Sequence, residues 1–461
     1  MTNSLTFDYE HAFIGYEASD SVDAASQAKF CKEVDITSHL EKITKAKGLE
    51  CLGIYEDTFK VENSFKSGLR ASYVVGYKWL VENETAICVK PKLDESEFNA
   101  RADITKMFAE CFHSPLVAKG MNEVYGIEWE QPRIQIEEKD DVLTPLIIMH
   151  FLQVVKSLSK KGLKKGYMSV IENLTAKVKG KILINQTIKH NHFKNRLDKT
   201  VCSHQIFTTN CLENQIIKTA LAHVSRYVYQ NMRENTTFTQ MLRFDQMMFE
   251  MVDTKEVNLA DFKKIKHSPF FKEYKEALRL AEMIFRRLGF SLQQADHEAQ
   301  KYAQIPPYHI DMSKLFEKYV ELRLREGGVA DIEAQFSSSK PFLQKPDFLY
   351  KIADADTKMI IDAKYKYWYK FEDKPASEKT DSFRDDMRQL SLYAITDEIR
   401  GWLGMNGSTE HVKKVIVYPV AKEDENNKLK LDSLEDRNKI KGFIEMYKIG
   451  LKIPTIPVQS T

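Results

Sequence analysis

The spacing of hydrophobic residues changes along this chain, and the changes divide it into segments. Ala71–Trp79 (ASYVVGYKW) and Thr85–Val89 (TAICV) are rich in β-branched and aromatic residues, which predicts two strands. Asn83 and Glu84 between them predict a hairpin turn. Ala102–Cys111 and Pro145–Leu158 carry apolar residues at helical spacing. From Asn214 to about Phe290 the pattern is almost wholly helical. Ile216, Ala220, Leu221, Val224 and Val228 share one face, and Leu278, Leu280, Ala281, Ile284 and Phe285 share another. Such stripes predict a packing layer of helices.

After Pro306 and Pro307 the pattern changes again. Asp311–Glu326 reads as an amphipathic helix capped by Asp311 or Ser313. Ile332–Phe336 predicts a short strand. Asp347–Ile352 and Met359–Tyr365 predict two more, joined by a polar turn at 354–358. Asp385–Arg400 predicts a helix, and Val412–Val420 a last strand. The order helix, three strands, helix, strand predicts an α/β fold with a mixed sheet flanked by helices. Three domains are expected: a mixed α+β region over 1–155, a basic and helical region over 156–305, and the αβββαβ region over 306–461.

Composition narrows this little. The chain has 461 residues, more than one ordinary core. Its hydrophobic (43%) and charged (29%) shares are ordinary for a globular protein, and its net charge of +2 does not mark a nucleic-acid binder. The distribution is more informative. Lys156 to Lys199 holds twelve Lys or Arg against two acids, Glu172 and Asp198. That segment reads either as a surface facing phosphates or an acidic partner, or as a solvated face. The six cysteines form no CxxC pair, so reduced thiols are expected rather than a zinc site or disulfides. The start lacks the pattern of a secretory signal, and Leu143–Val155 is too short to span a bilayer. The expected location is the cytoplasm, with no membrane contact.

Candidate chemistry is concentrated in PDFLYKIADADTKMIIDAKYK, Pro346 to Lys366. Strand alternation puts Ile360, Asp362, Lys364 and Lys366 on one face and Met359, Ile361, Ala363 and Tyr365 on the other, a face suited to a core. Hairpin pairing would bring Asp347 close to Asp362. Two carboxylates make a hard oxygen site suited to Mg2+, with the Ala363 carbonyl placed to add a ligand. A bound ion activates water and clamps a phosphoryl oxygen, and a lysine such as Lys364 offsets developing charge. These groups suit phosphodiester hydrolysis. A surface hairpin with a salt-bridged Asp362–Lys364 pair has the same letters. Glu317 on the preceding helix either contributes a carboxylate or lies on a solvated face with Lys314, Lys318 and Glu321. Gln389 on the following helix either reaches the site or is a half-buried packing residue. His190-Asn191-His192 spells an HNH tripeptide but lacks that family's dispersed ligands, and is expected to be a loop. No GxxxxGK[ST] loop occurs, so the chain should not hydrolyse nucleotide itself.

Several segments together resemble the McrC family, the nuclease component of McrBC-type modification-dependent restriction systems. They are VGYKWLVENETAICVKPKL (Val75–Leu93), KKGLKKGYMSVIENLTAKVKGKI (Lys160–Ile182) and TTNCLENQIIKTAL (Thr208–Leu221). DMSKLFEKYV, KPDFLY, DAKYK and RQLSLYA then follow in the family order. The first 70 residues carry no matching part, and the N-terminal region looks enlarged. The resemblance implies a PD-(D/E)xK nuclease fold at the C-terminus, with Asp347, Asp362 and Lys364 at the catalytic positions. It implies a partner, a McrB-like AAA+ GTPase ring that binds the GTP, recognises modified DNA and translocates it. The N-terminal part would dock into that ring and stimulate GTP hydrolysis. Pairing of complexes through this subunit is a further expectation. Two other readings stay open: a non-catalytic adaptor regulating an NTPase ring, and a stand-alone DNA or RNA nuclease.

Overall fold

The computed structural model describes residues 3–7, 13–15, 55–61, 64–70 and, from 73 to 457, all but 84, 91–99, 115, 129, 138–140, 232–235, 266–271, 290–301, 328–331, 340–342, 352–357, 367–380, 421–428, 430, 432–433 and 435–437. The chain divides into two compact units: Met1–Val142 with Tyr302–Thr461, and Leu143–Lys301. Sequence spacing predicts boundaries at 155/156 and 305/306, with the two ends in separate domains. The ends instead share one unit because strand Tyr308–Asp311 pairs antiparallel with both Val74–Val81 and Tyr125–Ile127.

Those strands belong to a five-stranded sheet completed by Thr85–Val89 and Asn3–Phe7. The predicted hairpin forms, as Val74–Val81 pairs antiparallel with Thr85–Val89. Asn83 turns the chain at φ 62°, a left-handed conformation that Asn tolerates. Gly76 is required by close approach: a Cβ there would lie 2.1 Å from the Tyr308 carbonyl oxygen.

The C-terminal sheet runs Ile332–Ala334, Phe348–Lys351, Lys358–Ala363, Lys413–Val420, Met446–Lys452. The first three strands are antiparallel neighbours and the last two joins are parallel, so the sheet is mixed. Helix Met312–Glu326 precedes it, capped by Asp311, whose carboxylate accepts the Lys314 N–H at 3.1 Å. The expected order of helix, three strands, helix and strand is present, and the α/β class holds. Two details differ. Asp385–Arg400 is not one helix but two, Asp381–Ile395 and Asp397–Trp402, broken at Thr396, which adopts extended φ/ψ. The last strand, Met446–Lys452, was not expected. Its Lys and Gly residues weaken the strand pattern, yet Gly450 fits because Val420 and Tyr418 press against it.

Both faces of Lys358–Ala363 are covered, although the sequence suggested one core face. Leu349 and Ile360 pack with Tyr393, Ala394 and Ile399 from the two following helices. On the alternate face, Tyr365 meets Phe316 of the preceding helix, ring centroids 5.7 Å apart. The polar turn expected at 354–358 lies largely outside the described residues.

The Leu143–Lys301 unit is helical at its core. Helices Leu143–Lys161, Leu212–Asn231, Thr236–Met248 and Lys272–Ile284 bury Leu152, Val155, Ile216, Ala220, Val224, Leu278 and Ala281. The expected helical region thus forms, with a non-helical stretch between Met248 and Leu259. The basic segment folds into a small antiparallel sheet, Gly166–Thr175 with Lys199–Thr208 and Lys181–Ile182. Among the described residues no helix is long and apolar enough to cross a membrane.

Candidate active site

The predicted residues meet where the Phe348–Lys351 and Lys358–Ala363 strands come together. Phe348 pairs with Ile361, and the register carried one residue further sets Asp347 opposite Asp362. Two hydrogen bonds hold Asp347 there. Its carbonyl accepts the Gln335 N–H at 2.8 Å, and its side-chain Oδ2 accepts the Ala363 N–H at 2.7 Å. A carboxylate is therefore pinned to the backbone beside its partner acid.

Lys364 leaves the strand with its N–H on the Val417 carbonyl at 2.8 Å. Its ammonium lies 2.6 Å from Asp362 Oδ2 and donates to Gln389 Oε1 at 2.9 Å. Asp386 Oδ1 is 3.7 Å away. Gln389 in turn donates to the Tyr393 hydroxyl at 2.6 Å, and that hydroxyl donates to the Lys345 carbonyl at 3.0 Å. The chain of contacts returns to the residues just before Asp347. Gln389 is thus tied to the site by Lys364, and it is exposed rather than half-buried.

Glu317 is half-buried, and its Oε1 accepts from Gln335 Nε2 at 3.2 Å. Lys318 and Glu321, expected beside it on a solvated face, are buried and paired at 3.1 Å. Burial pushes the Glu317 carboxyl up, with Gln335 and Lys318 opposing and Glu321 and Asp362 adding to the rise.

Electrostatics mark the same place. Burial, then the charges of Asp362 and Glu317, raise the Asp347 carboxyl well above the usual range. Burial also raises Asp362, against the pull of Lys364. Burial disfavours the Lys364 ammonium, but Asp362, Asp386 and Asp347 together hold its pKa above the ordinary value. Acids that raise one another in this way share an incompletely neutralised site.

A cation suits these residues. Asp362 is 1% exposed, and its Oδ2 has no hydrogen bond of good geometry despite the nearby ammonium. Among the described residues, the carboxylates of Glu317, Asp347, Asp362 and Asp386 gather here with the ammonium groups of Lys318, Lys364 and Lys366. Among the described residues no three His, Cys, Asp or Glu side chains form a ready-made metal cage. The fit is to a pair of carboxylates completed by other oxygens, which is how Mg2+ is commonly held.

Sequence reasoning missed Asp386, Lys366 and Tyr393 as members of this network. The signal was helical spacing: Asp386, Gln389 and Tyr393 stand at i, i+3 and i+7 of one helix.

Elsewhere, His190-Asn191-His192 spans a helix end and a following 3-10 turn, and is not a plain loop. Asn191 is fully buried, exchanging hydrogen bonds with Asn173 at 2.8 Å. The described cysteines Cys88, Cys111, Cys202 and Cys211 are free and buried. On the small sheet and the turns around it, Lys177, Lys179, Lys181 and Lys189 are exposed, together with Tyr167, Ile171, Phe193 and Phe207.

These observations define an α/β protein with an acid-and-lysine site on a mixed sheet. A model of the McrBC family, described as the McrBC 5-methylcytosine restriction system component, matches residues 69–403, and the chain belongs to that family. No curated protein matches the sequence. Among solved structures, the chain is similar to a half-complex from a tetradecameric assembly of Thermococcus gammatolerans McrB AAA+ hexamers with bound McrC. That likeness is 15% identical, covers 100% of this chain and 96% of the other, and has a TM-score of 0.38. A cryo-EM structure of the McrBC complex from the same organism is 14% identical over 71% of this chain and 89% of the other, with a TM-score of 0.29. The family model alone places the chain.

Proposed function

We propose that this chain is the endonuclease subunit of a McrBC-type restriction system, hydrolysing DNA phosphodiester bonds with Mg2+. The observation that carries this reading is the pinning of Asp347 opposite Asp362 with the Lys364 ammonium 2.6 Å from Asp362. An acid pair with a lysine at the end of a hairpin in a mixed sheet is the arrangement expected of a PD-(D/E)xK nuclease.

Asp347 and Asp362 would hold the ion, with the Ala363 carbonyl as a further oxygen. Bound there, Mg2+ supplies an activated water and charge neutralisation at the phosphate. Lys364 holds a positive charge beside the carboxylates, where it offsets charge developing on the phosphoryl oxygens. Gln389 fixes the position of that ammonium. Glu317 adds negative charge from the neighbouring helix and is the weaker candidate for a catalytic role.

Family membership supports a partner, a McrB-like AAA+ GTPase ring that binds GTP and reads modified DNA, since this chain has no phosphate loop of its own. The exposed lysines of the Leu143–Lys301 unit support contact with an acidic partner or with phosphates.

The test is cleavage of modified DNA by the full chain with Mg2+, with and without the GTPase. Asp362→Ala should abolish cutting while stimulation of GTP hydrolysis persists. Normal cutting by that variant would remove the nuclease assignment. Cutting without the partner would instead favour a stand-alone nuclease.

A further inference from the structure

We propose that Asp386 and Lys366 are positioning residues that hold the Lys364 ammonium at the edge of the acid pair, an inference that rests on the nuclease reading above. Asp386 is 5% exposed on helix Asp381–Ile395. Both its oxygens meet the Lys366 ammonium, at 2.9 and 2.7 Å, and its Oδ1 lies 3.7 Å from Lys364 Nζ. Lys364 therefore stands between two buried carboxylates, Asp362 and Asp386. The backbone reinforces this: the Lys366 N–H donates to the Lys364 carbonyl at 2.8 Å, a tight turn that sets the two lysines together.

The physical need is specific. A lysine ammonium is a point charge on a flexible four-carbon stem, and its position follows its partners. Asp362 is the nearer anchor at 2.6 Å, and Asp386, at 3.7 Å, is a second anion that limits where the ammonium can sit. Gln389 Oε1, at 2.9 Å, fixes the direction of approach. Lys366 neutralises Asp386, so the second carboxylate orients Lys364 without leaving an unpaired buried charge. Two residues apart on one segment and three apart on the helix, the lysine pair and the Asp386–Gln389 pair form one bonded frame.

The experiment uses the full chain with its GTPase partner and DNA, comparing wild type, Asp386→Asn, Lys366→Met, Lys366→Arg and Asp362→Ala. Single-turnover cleavage at saturating DNA and Mg2+ should slow about 10- to 100-fold in Asp386→Asn and Lys366→Met, as for other residues that orient a metal site. Half-saturating DNA should stay unchanged, and Lys366→Arg should restore most of the rate, because arginine also pairs with a carboxylate through two bonds. An unchanged maximal rate, a loss confined to DNA affinity, or a Lys366→Arg variant as slow as Lys366→Met overturns the inference. If Asp386→Asn does not fold, the Lys366→Met and Lys366→Arg pair decides. Asp362→Ala separates the two failures: loss of cutting there with normal cutting by Asp386→Asn and Lys366→Met sinks only the positioning role. Retained cutting by Asp362→Ala sinks the nuclease reading beneath it.

Discussion

Asp347 accepts the backbone N–H of Ala363 at 2.7 Å, so a carboxylate from one strand is fastened to the residue that follows Asp362 on the next. One bond thus joins the two halves of the candidate site. It also separates two contributions of Asp347, as a hydrogen-bond acceptor and as a negative charge.

Asp347→Asn should keep the first and lose the second, because the amide oxygen still accepts from Ala363. Cutting should fall at least about 100-fold, in line with loss of a metal-organised transition state. Stability of the metal-free chain at pH 8 should not fall. It should rise by on the order of 1 kcal/mol, since a carboxylate whose pKa is raised by burial and like charges is a strained charge in the folded state. Denaturant unfolding with and without Mg2+ checks both, and loss of stability in the metal-free variant would count against this account.

Gln389→Ala should be milder. It removes the acceptor for Lys364 at 2.9 Å and the donor to Tyr393, but leaves the Asp362 ion pair. A rate loss of about tenfold is expected, equivalent to about 1.4 kcal/mol in the barrier. Single-turnover cleavage measures it. A loss as large as that of Asp362→Ala would mean that Gln389 touches the reacting groups directly.

The meeting of Asp347, Asp362 and Lys364 was legible in the sequence because two strand patterns bracket them. Asp347 and Asp362 needed only antiparallel pairing to meet. Glu317 and Gln389 each keep two readings in the sequence because a helix face alone does not say what lies across from it. Asp386 was hidden by its charged neighbours in RDDMRQ, where a buried acid looks like a solvated one. The division into units was not legible either. It depends on Tyr308–Asp311 pairing with strands far earlier in the chain, and hydrophobic spacing carries no information about such long-range partners.

Asp245 gives a pH prediction outside the site. It is fully buried, and among the described residues neither carboxylate oxygen has a hydrogen-bond partner. Burial pushes its carboxyl up to about 8, with Lys156 opposing. The folded state thus retains a proton that the unfolded chain releases near pH 4. The resulting stability is complete below pH 4 and is lost progressively as pH rises to about 8. Asp245→Asn should flatten that slope and stabilise the protein at pH 8 by on the order of 2 kcal/mol, discounted for relaxation around a buried charge. Unfolding at a series of pH values compares the two proteins, and parallel curves would show that Asp245 does not carry the dependence.

Asn214 gives a stability prediction. It is fully buried and donates to the Lys164 carbonyl at 2.9 Å and the Thr209 carbonyl at 2.6 Å, while Tyr274 donates its hydroxyl hydrogen to the Asn214 oxygen at 2.8 Å. These bonds tie the base of the small basic sheet to two helices. Asn214→Ala should cost about 2–4 kcal/mol, because buried groups lose partners on both sides. Thermal unfolding reads the loss, and a melting temperature equal to wild type would mean that water replaces the side chain without penalty.

Strand Tyr308–Asp311 sits between two strands that precede the helical unit in the chain. During synthesis, the edges of Val74–Val81 and Tyr125–Ile127 that face Tyr308–Asp311 therefore stay open until the chain beyond residue 301 has been made. The inserted unit, contiguous in the chain, is free to fold first. Nascent chains stalled once Lys301 has just cleared the ribosome should hold a protease-resistant helical insert together with unfinished and sticky strand edges, the stage at which a chaperone is most needed.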